Sequence, residues 1–164
     1  MTRSLTVKKE IRILGLDLCN PRRLVGAVTR GGDYLDGVLV LPSRVMLETT
    51  RIASAIIRTR FFPELRLIMT HDPKAQLDPK VIEGLTKLPV VQVDSTRKRR
   101  SSGFKPYKVG RKQLLVKSTV PPSVLQEILS RTWATGTLPE PLRIAHLLAR
   151  SRFSGKNARF QANK

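Results

Sequence analysis

Along the first 94 positions, apolar residues fall into runs and alternations that read as strands, interrupted twice by stretches of helical period. Glu10–Leu18 (EIRILGLDL) is a buried-strand run in which Gly15 lets a neighbouring backbone approach closely. Leu24–Thr29 and Tyr34–Leu41 follow, joined by Arg30-Gly31-Gly32-Asp33, whose paired glycines signal a turn, so the three segments predict an antiparallel meander. Over Arg44–Arg60 the period changes. Val45, Ile52 and Ile56, with Met46, Ala53 and Ile57 one step round, predict an amphipathic helix with Ser43 as its N-cap. Glu64–Thr70 then reads as a strand, Pro79–Leu85 as a short helix and Pro89–Asp94 as a β-branched strand. Strand, helix, strand at this spacing implies parallel pairing.

The expected order over residues 10–94 is therefore β-β-β-α-β-α-β, an α/β class with a mixed sheet in the ribonuclease-H-like arrangement. Beyond it, Gln113–Val120 predicts a further strand, stopped by Pro121-Pro122. Ser123-x-x-Gln126 has the form of a capping box opening a helix to about Ala134, closed by Gly136. Pro141 suits the first turn of a last helix, Leu142–Arg152. Residues 1–152 read as a single domain and 153–164 as a basic tail without periodicity.

Charge changes this picture. The chain carries 31 Lys and Arg against 12 Asp and Glu, a formal net charge of +19. Residues 1–94 account for +5 of it and residues 95–164 for +14. A basic loop at 95–112 concentrates the effect: Arg97, Lys98, Arg99, Arg100, Lys105, Lys108, Arg111 and Lys112 occur there without one acid, among Ser, Gly and Pro residues. Such a segment predicts an extended loop that does not pack as a core element, and its like charges call for a polyanion. Nucleic acid is the expected polyanion; a merely solvated charged loop or an acidic membrane surface are the alternatives. Aromatic residues interleave with the cations at Phe104 and Tyr107 and at Phe153 and Phe160, where splayed bases could stack. Charge on a loop and a tail, and not on a recognition helix, favours RNA over DNA. The expected RNA contacts are Arg97, Lys98, Arg99, Arg100, Phe104, Lys105, Tyr107, Lys108, Arg111, Lys112, Arg150, Arg152, Lys156, Arg159 and Lys164. No apolar stretch is long enough for a membrane span and no cleavable leader stands at Met1, so a cytoplasmic location without membrane contact is expected. The single cysteine, Cys19, excludes an internal disulfide and reads as structural.

Five stretches carry a family resemblance: KKEIRILGLD (8–17), VGAVTRGGDYLDGVL (25–39), FFPELRLIM (61–69), LPVVQV (88–93) and PEPLRIAHLLA (139–149). In this order and spacing the chain resembles the small archaeal proteins of unassigned function that look like endonuclease V. The resemblance implies a ribonuclease-H-like sheet and, in the active members of that fold, divalent metals held on three or four converging acids. Asp17 matches the first acid of the pattern. The second position falls where this chain reads Leu41-Pro42-Ser43-Arg44, and the third where Met69-Thr70-His71-Asp72 stands in place of a Met-Leu-Asp-Gly run. Asp17, His71 and Asp72 thus remain as vestigial candidates for a single-metal site, while His146 in RIAHLLAR reads as a packing residue. No Gly-rich phosphate loop and no Ser/His/Asp set is present, and no metal or other cofactor is expected.

The expectation is a non-catalytic protein that binds RNA, with ribosomal RNA and neighbouring ribosomal proteins as its partners. An active metal-dependent endonuclease on deaminated or structured nucleic acid, or a DNA-binding architectural protein, are the alternatives.

Overall fold

Alternation along the apolar runs decides how the sheet is covered. A computed structural model describes residues 5–20, 22–42, 48–95 and 103–151. Its strands are β1 (Arg12–Asp17), β2 (Arg23–Arg30), β3 (Tyr34–Pro42), β4 (Leu65–His71), β5 (Val90–Asp94), β6 (Lys105–Val109) and β7 (Lys112–Ser118). Its helices are α1 (Thr49–Ile57), α2 (Pro79–Thr86), α3 (Pro122–Thr132) and α4 (Glu140–Arg150), with a 3₁₀ turn at Phe62–Glu64 before β4. The strands make one mixed sheet of seven in the order β3-β2-β1-β4-β5-β7-β6. β1 pairs antiparallel with β2 and β2 with β3, whereas β1–β4 and β4–β5 are parallel.

Successive side chains of a strand point to opposite faces, and the core divides accordingly. Leu14 and Leu16 of β1 and Ile68 of β4 pack with Ile52, Ile56 and Ile82 of α1 and α2 on one face. Ile13, Leu67, Met69, Val91 and Val93 pack with Leu125, Ile128, Leu129 and Leu142 of α3 and α4 on the other. Gly15 lies under α4: a Cβ there would stand 2.4 Å from the carbonyl carbon and oxygen of Pro141. The close neighbour that the sequence required at Gly15 is thus the first turn of a helix. At the amino end of β1, Asp36 of β3 accepts hydrogen bonds from Arg12 Nε at 2.8 Å and Arg30 Nε at 2.9 Å, joining three strands.

Several sequence expectations need correction. The basic segment is not loop throughout, since residues 105–109 form β6 and pair with β7 through a two-residue turn, Gly110-Arg111. Alternation explains it. Tyr107 and Val109 pack onto the core below α3 while the alternate residues Pro106 and Lys108 are exposed, and Gly110 adopts φ 59°, which the tight turn requires. β6 is an edge strand, the place where Pro106 costs no ladder hydrogen bond. β7 accordingly starts at Lys112 and not at Gln113. Ser123 is no N-cap: α3 starts at Pro122 without a side-chain cap, and Gln126 Nε2 donates to the Lys108 carbonyl at 2.7 Å, bracing the hairpin.

Helix α3 ends at Thr132, before Gly136. The Lys112 ammonium donates to the carbonyls of Trp133 at 2.6 Å and Ala134 at 2.9 Å, satisfying the helix end. Helix α4 starts at Glu140 with Pro141 in its first turn, as expected, and ends at Arg150 instead of Arg152. Helix α1 is described from Thr49 and stops at Ile57, three residues short of Arg60. The Ser43 cap, the Arg97–Arg100 run and the 153–164 tail lie outside the described residues.

Candidate functional site

Parallel pairing of β1 with β4 places Asp17 beside His71 at the carboxyl ends of both strands. Both belong to the face covered by α4, and Asp17 is completely buried. Its Oδ1 accepts the backbone N–H of Cys19 at 2.7 Å, a local turn that folds the chain back just beyond β1. Its Oδ2 lies 2.6 Å from Nδ1 of His146 on α4 and 3.8 Å from Nδ1 of His71. The Cys19 thiol stands 3.3 Å from the same His71 nitrogen, and His71 Nε2 is 3.2 Å from Ser95 Oγ just past β5. One ligand-type atom from each of Asp17, Cys19, His71 and His146 lies within 4.8 Å of all the others.

Helix α4 is held over this centre by contacts from the loop after β1 and from the first residue of β2. Asn20 Nδ2 donates to the Ala149 carbonyl at 2.6 Å, and the Arg23 guanidinium donates to the Ser151 carbonyl. Gly15 permits the approach at the other end of the helix. Local glycine, asparagine and arginine chemistry thus fixes where His146 stands.

Electrostatics sets the protonation of the centre. Burial pushes the Asp17 carboxyl toward its neutral form, but the nearby His71 ring and hydrogen bonds with Cys19 and His146 outweigh it and hold its pKa below the ordinary carboxylate value. Burial pushes the Cys19 thiol up to about 12, with the Asp17 and Asp72 charges adding to the effect. Without a metal, then, the group is an ionised carboxylate facing two imidazoles and a protonated thiol, with no nucleophilic thiolate.

The three vestigial candidates part company here. Asp17 and His71 meet, whereas Asp72 turns away and its Oδ2 accepts the Leu77 N–H at 2.8 Å. Asp94, the buried acid ending β5, points by strand alternation to the face opposite Val93 and Ser95. Asp17 is therefore the one carboxylate of the cluster. His146, read from sequence as a packing residue, and Cys19, read as structural, complete it. No sequence signal joins either to His71, since each lies more than fifty positions from it.

A second feature lies at the β6 edge. Lys105, Pro106, Tyr107 and Lys108 of β6, with Gln113 of β7 and Pro122 and Gln126 of α3, line an open groove of about 640 Å³. Phe104 is half-buried beside it, and Arg111 is exposed at the hairpin turn. Lys112 is occupied internally at the end of α3, and Arg150 is exposed on the last turn of α4. Because Asp94 pairs with Leu115 and Val109 with Lys112, the turn projects past the carboxyl end of β5. That is the end of the sheet on which Asp17 and His71 lie. Arg97, Lys98, Arg99, Arg100, Arg152, Lys156, Arg159 and Lys164 are outside the described residues. Among the described residues no helix is long and apolar enough to cross a membrane.

Comparison with known proteins places these features in an archaeal context. A UPF0215 protein of Methanopyrus kandleri is 31% identical over 93% of this chain and 96% of its own length. A UPF0215 protein of Methanosarcina mazei is 32% identical over 87% of this chain and 91% of its own. No family model matches the chain. Among solved structures, a protein of unknown function from Archaeoglobus fulgidus superposes with a TM-score of 0.65 at 24% identity, over 85% of this chain and 96% of that one. An Argonaute of Marinitoga piezophila, solved with a 5′ OH guide RNA, superposes with a TM-score of 0.59 at 14% identity over 93% of this chain but 31% of its own.

Proposed function

This chain belongs to the UPF0215 family of archaeal proteins, and from that premise we propose that it is a non-catalytic RNA-binding protein on an endonuclease-V-like scaffold, attached to ribosomal RNA. The observation that carries the reading is the edge groove, where Lys105 and Lys108 flank Tyr107. Cations tracking a phosphate backbone beside a ring on which a base can stack are the ingredients of single-strand recognition. The +19 charge supplies a long-range attraction that draws any polyanion to this surface.

The ribonuclease-H-like assignment draws support from the sheet order β3-β2-β1-β4-β5, antiparallel in its first pairs and parallel in its last. The likeness to part of an Argonaute adds an analogy at the level of the fold. The donor set supports a loss of hydrolysis. Magnesium-dependent cleavage needs several hard oxygen ligands, and the cluster offers one carboxylate among a thiol and two imidazoles. An uncompensated row of acids would also repel the phosphates that the groove attracts.

The test has two arms. Purified protein incubated with Mg²⁺ or Mn²⁺ should leave structured RNA and inosine-containing DNA intact, while fluorescence anisotropy should show RNA binding that weakens when Lys105 and Lys108 become Gln. Cleavage that disappears with Asp17→Ala would establish the nuclease alternative. For the ribosomal assignment, native protein should cosediment with a ribosomal subunit in a sucrose gradient; recovery only at the top of the gradient would remove it.

A further inference from the structure

The cluster at the carboxyl ends of β1 and β4 has a use independent of RNA binding. We propose that Asp17, Cys19, His71 and His146 form a closed, four-ligand site for one divalent transition metal of the zinc type, which staples α4 to the sheet. Carboxylate, thiolate and two imidazoles are a donor set that suits zinc and disfavours magnesium, which takes oxygen ligands in an octahedron.

Geometry supports the assignment. Zinc bonds of about 2.0–2.3 Å put the ligand atoms of a tetrahedron about 3.3–3.8 Å apart. His71 Nδ1 already stands 3.3 Å from Cys19 Sγ and 3.8 Å from Asp17 Oδ2, the two ends of that range. His146 Nδ1, now 2.6 Å from Oδ2 in a hydrogen bond, would withdraw by under about 1 Å to make room for the ion. It can do so because its side chain is 27% exposed at the rim, whereas Asp17 is fixed at the bottom.

The surroundings are those of a metal ligand set. Both imidazoles present Nδ1 to the cluster, and His71 turns Nε2 to Ser95 Oγ at 3.2 Å, so the outer N–H has an acceptor that sets the ring's tautomer and orientation. The free oxygen of the carboxylate, Oδ1, is occupied by the Cys19 N–H, which leaves Oδ2 as the single oxygen ligand. Binding releases the thiol proton, and the proton on His146 Nδ1 facing Asp17 is taken up at the ring's Nε2 through solvent, so the cation gains a thiolate and a neutral imidazole without oxidation or reduction. With four protein ligands the ion has no open position for water or phosphate, so its role is to hold α4 in place and not to hydrolyse.

Cobalt substitution of the full-length, untagged protein tests this directly. Metal-free protein titrated with Co²⁺ should develop, at about one ion per chain, the intense visible bands of tetrahedral cobalt and a near-ultraviolet thiolate-to-cobalt band. Zinc should displace the cobalt, raise the melting temperature and protect Cys19 from alkylation. These readouts use the wild-type chain and do not depend on any variant folding. Cys19→Ser should lose the thiolate band. Ser95→Ala should bind the metal about 10–100-fold more weakly, and Asp72→Asn should bind it as the wild type does. Weak octahedral cobalt absorption without a thiolate band, Cys19 alkylated equally fast with and without zinc, or affinity unchanged by Cys19→Ser and Ser95→Ala would each overturn the site.

Discussion

The Asp17 centre and the β6–β7 hairpin lie toward the same end of the sheet and treat their polar groups in opposite ways. In the centre each polar side chain faces another group of the same molecule: Asp17 meets His146 and the Cys19 backbone amide, and His71 meets the Cys19 thiol and Ser95. On the hairpin, Lys105, Lys108 and Arg111 are exposed, and the groove that Lys105 and Lys108 border is open. A buried polar group must be satisfied from within or it costs the domain stability, so the centre's chemistry is committed to the fold. Exposed cations of one sign cost little while solvated and gain when counterions are released, so the hairpin's chemistry is directed outward. The molecule thus separates polar groups turned on its own interior from polar groups turned on solvent.

That separation can be broken experimentally, and the largest effect is expected from salt. If six or more cations neutralise phosphates, log affinity for RNA falls against log salt with a slope of about −4 or steeper, about two to three orders of magnitude between 50 and 200 mM. Changing Lys105, Lys108 and Arg111 together to Gln should flatten the slope by about 2 to 3 and leave the melting temperature nearly unchanged. A slope that stays the same would detach the hairpin from binding. Next comes Gly15→Ala, whose Cβ meets the Pro141 backbone at 2.4 Å. The cost is about 3 kcal/mol in urea unfolding, and the shift of α4 that relieves the clash draws His146 away from Asp17. Unchanged stability would mean α4 is not seated on β1.

Tyr107→Ala sharpens the contrast on the RNA side. Affinity should drop by ~1–3 kcal/mol with the salt slope intact, because stacking releases no counterions. The smallest effect belongs to Asp36. Burial raises its pKa, but the Arg12 and Arg30 hydrogen bonds win and hold it below the ordinary carboxylate value. A depressed carboxyl pKa contributes stability that is present above the unfolded value, about 4, and lost as pH falls through the folded value. Asp36→Asn should therefore be less stable than wild type near pH 7 by about 1 kcal/mol, with the gap closing on acidification. A gap that persists at low pH would mean packing, and not charge, accounts for it.

Much of the fold was legible because burial imposes a period. The strands at β1 to β5 and helix α2 fall within one or two residues of their expected bounds, since two-sided burial leaves near-continuous apolar runs in β1, β2, β4 and β5 and the Gly31-Gly32 turn marks the start of β3. β6 was hidden because Pro106 and Lys108 fill the exposed positions that alternate with Tyr107 and Val109, Lys105 is exposed at the start of the strand, and a run of cations looks like a loop when only two of its residues face inward. Ser123 and Gln126 matched a local capping pattern that tertiary structure overruled by giving Gln126 the Lys108 carbonyl. The centre was half legible. Asp17 and His71 stand at strand ends, where an alternation argument reaches them. His146 sits one residue from buried Ala145 and three from buried Ala149, so helical period reads it as packing. Its partner Asp17 lies 129 positions away, a proximity set by how α4 crosses β1, which no local pattern encodes.

The ammonium of Lys112 lies 5.0 Å from the ring centre of Trp133 while it closes the end of α3. Trp133 is the chain's sole tryptophan and is 2% exposed. Lys112 is also the first residue of β7, the return arm of the hairpin. The indole is therefore a native optical probe. Any ligand that pulls the hairpin moves a point charge across its face, and the emission of that one ring will register the strain before any label is attached.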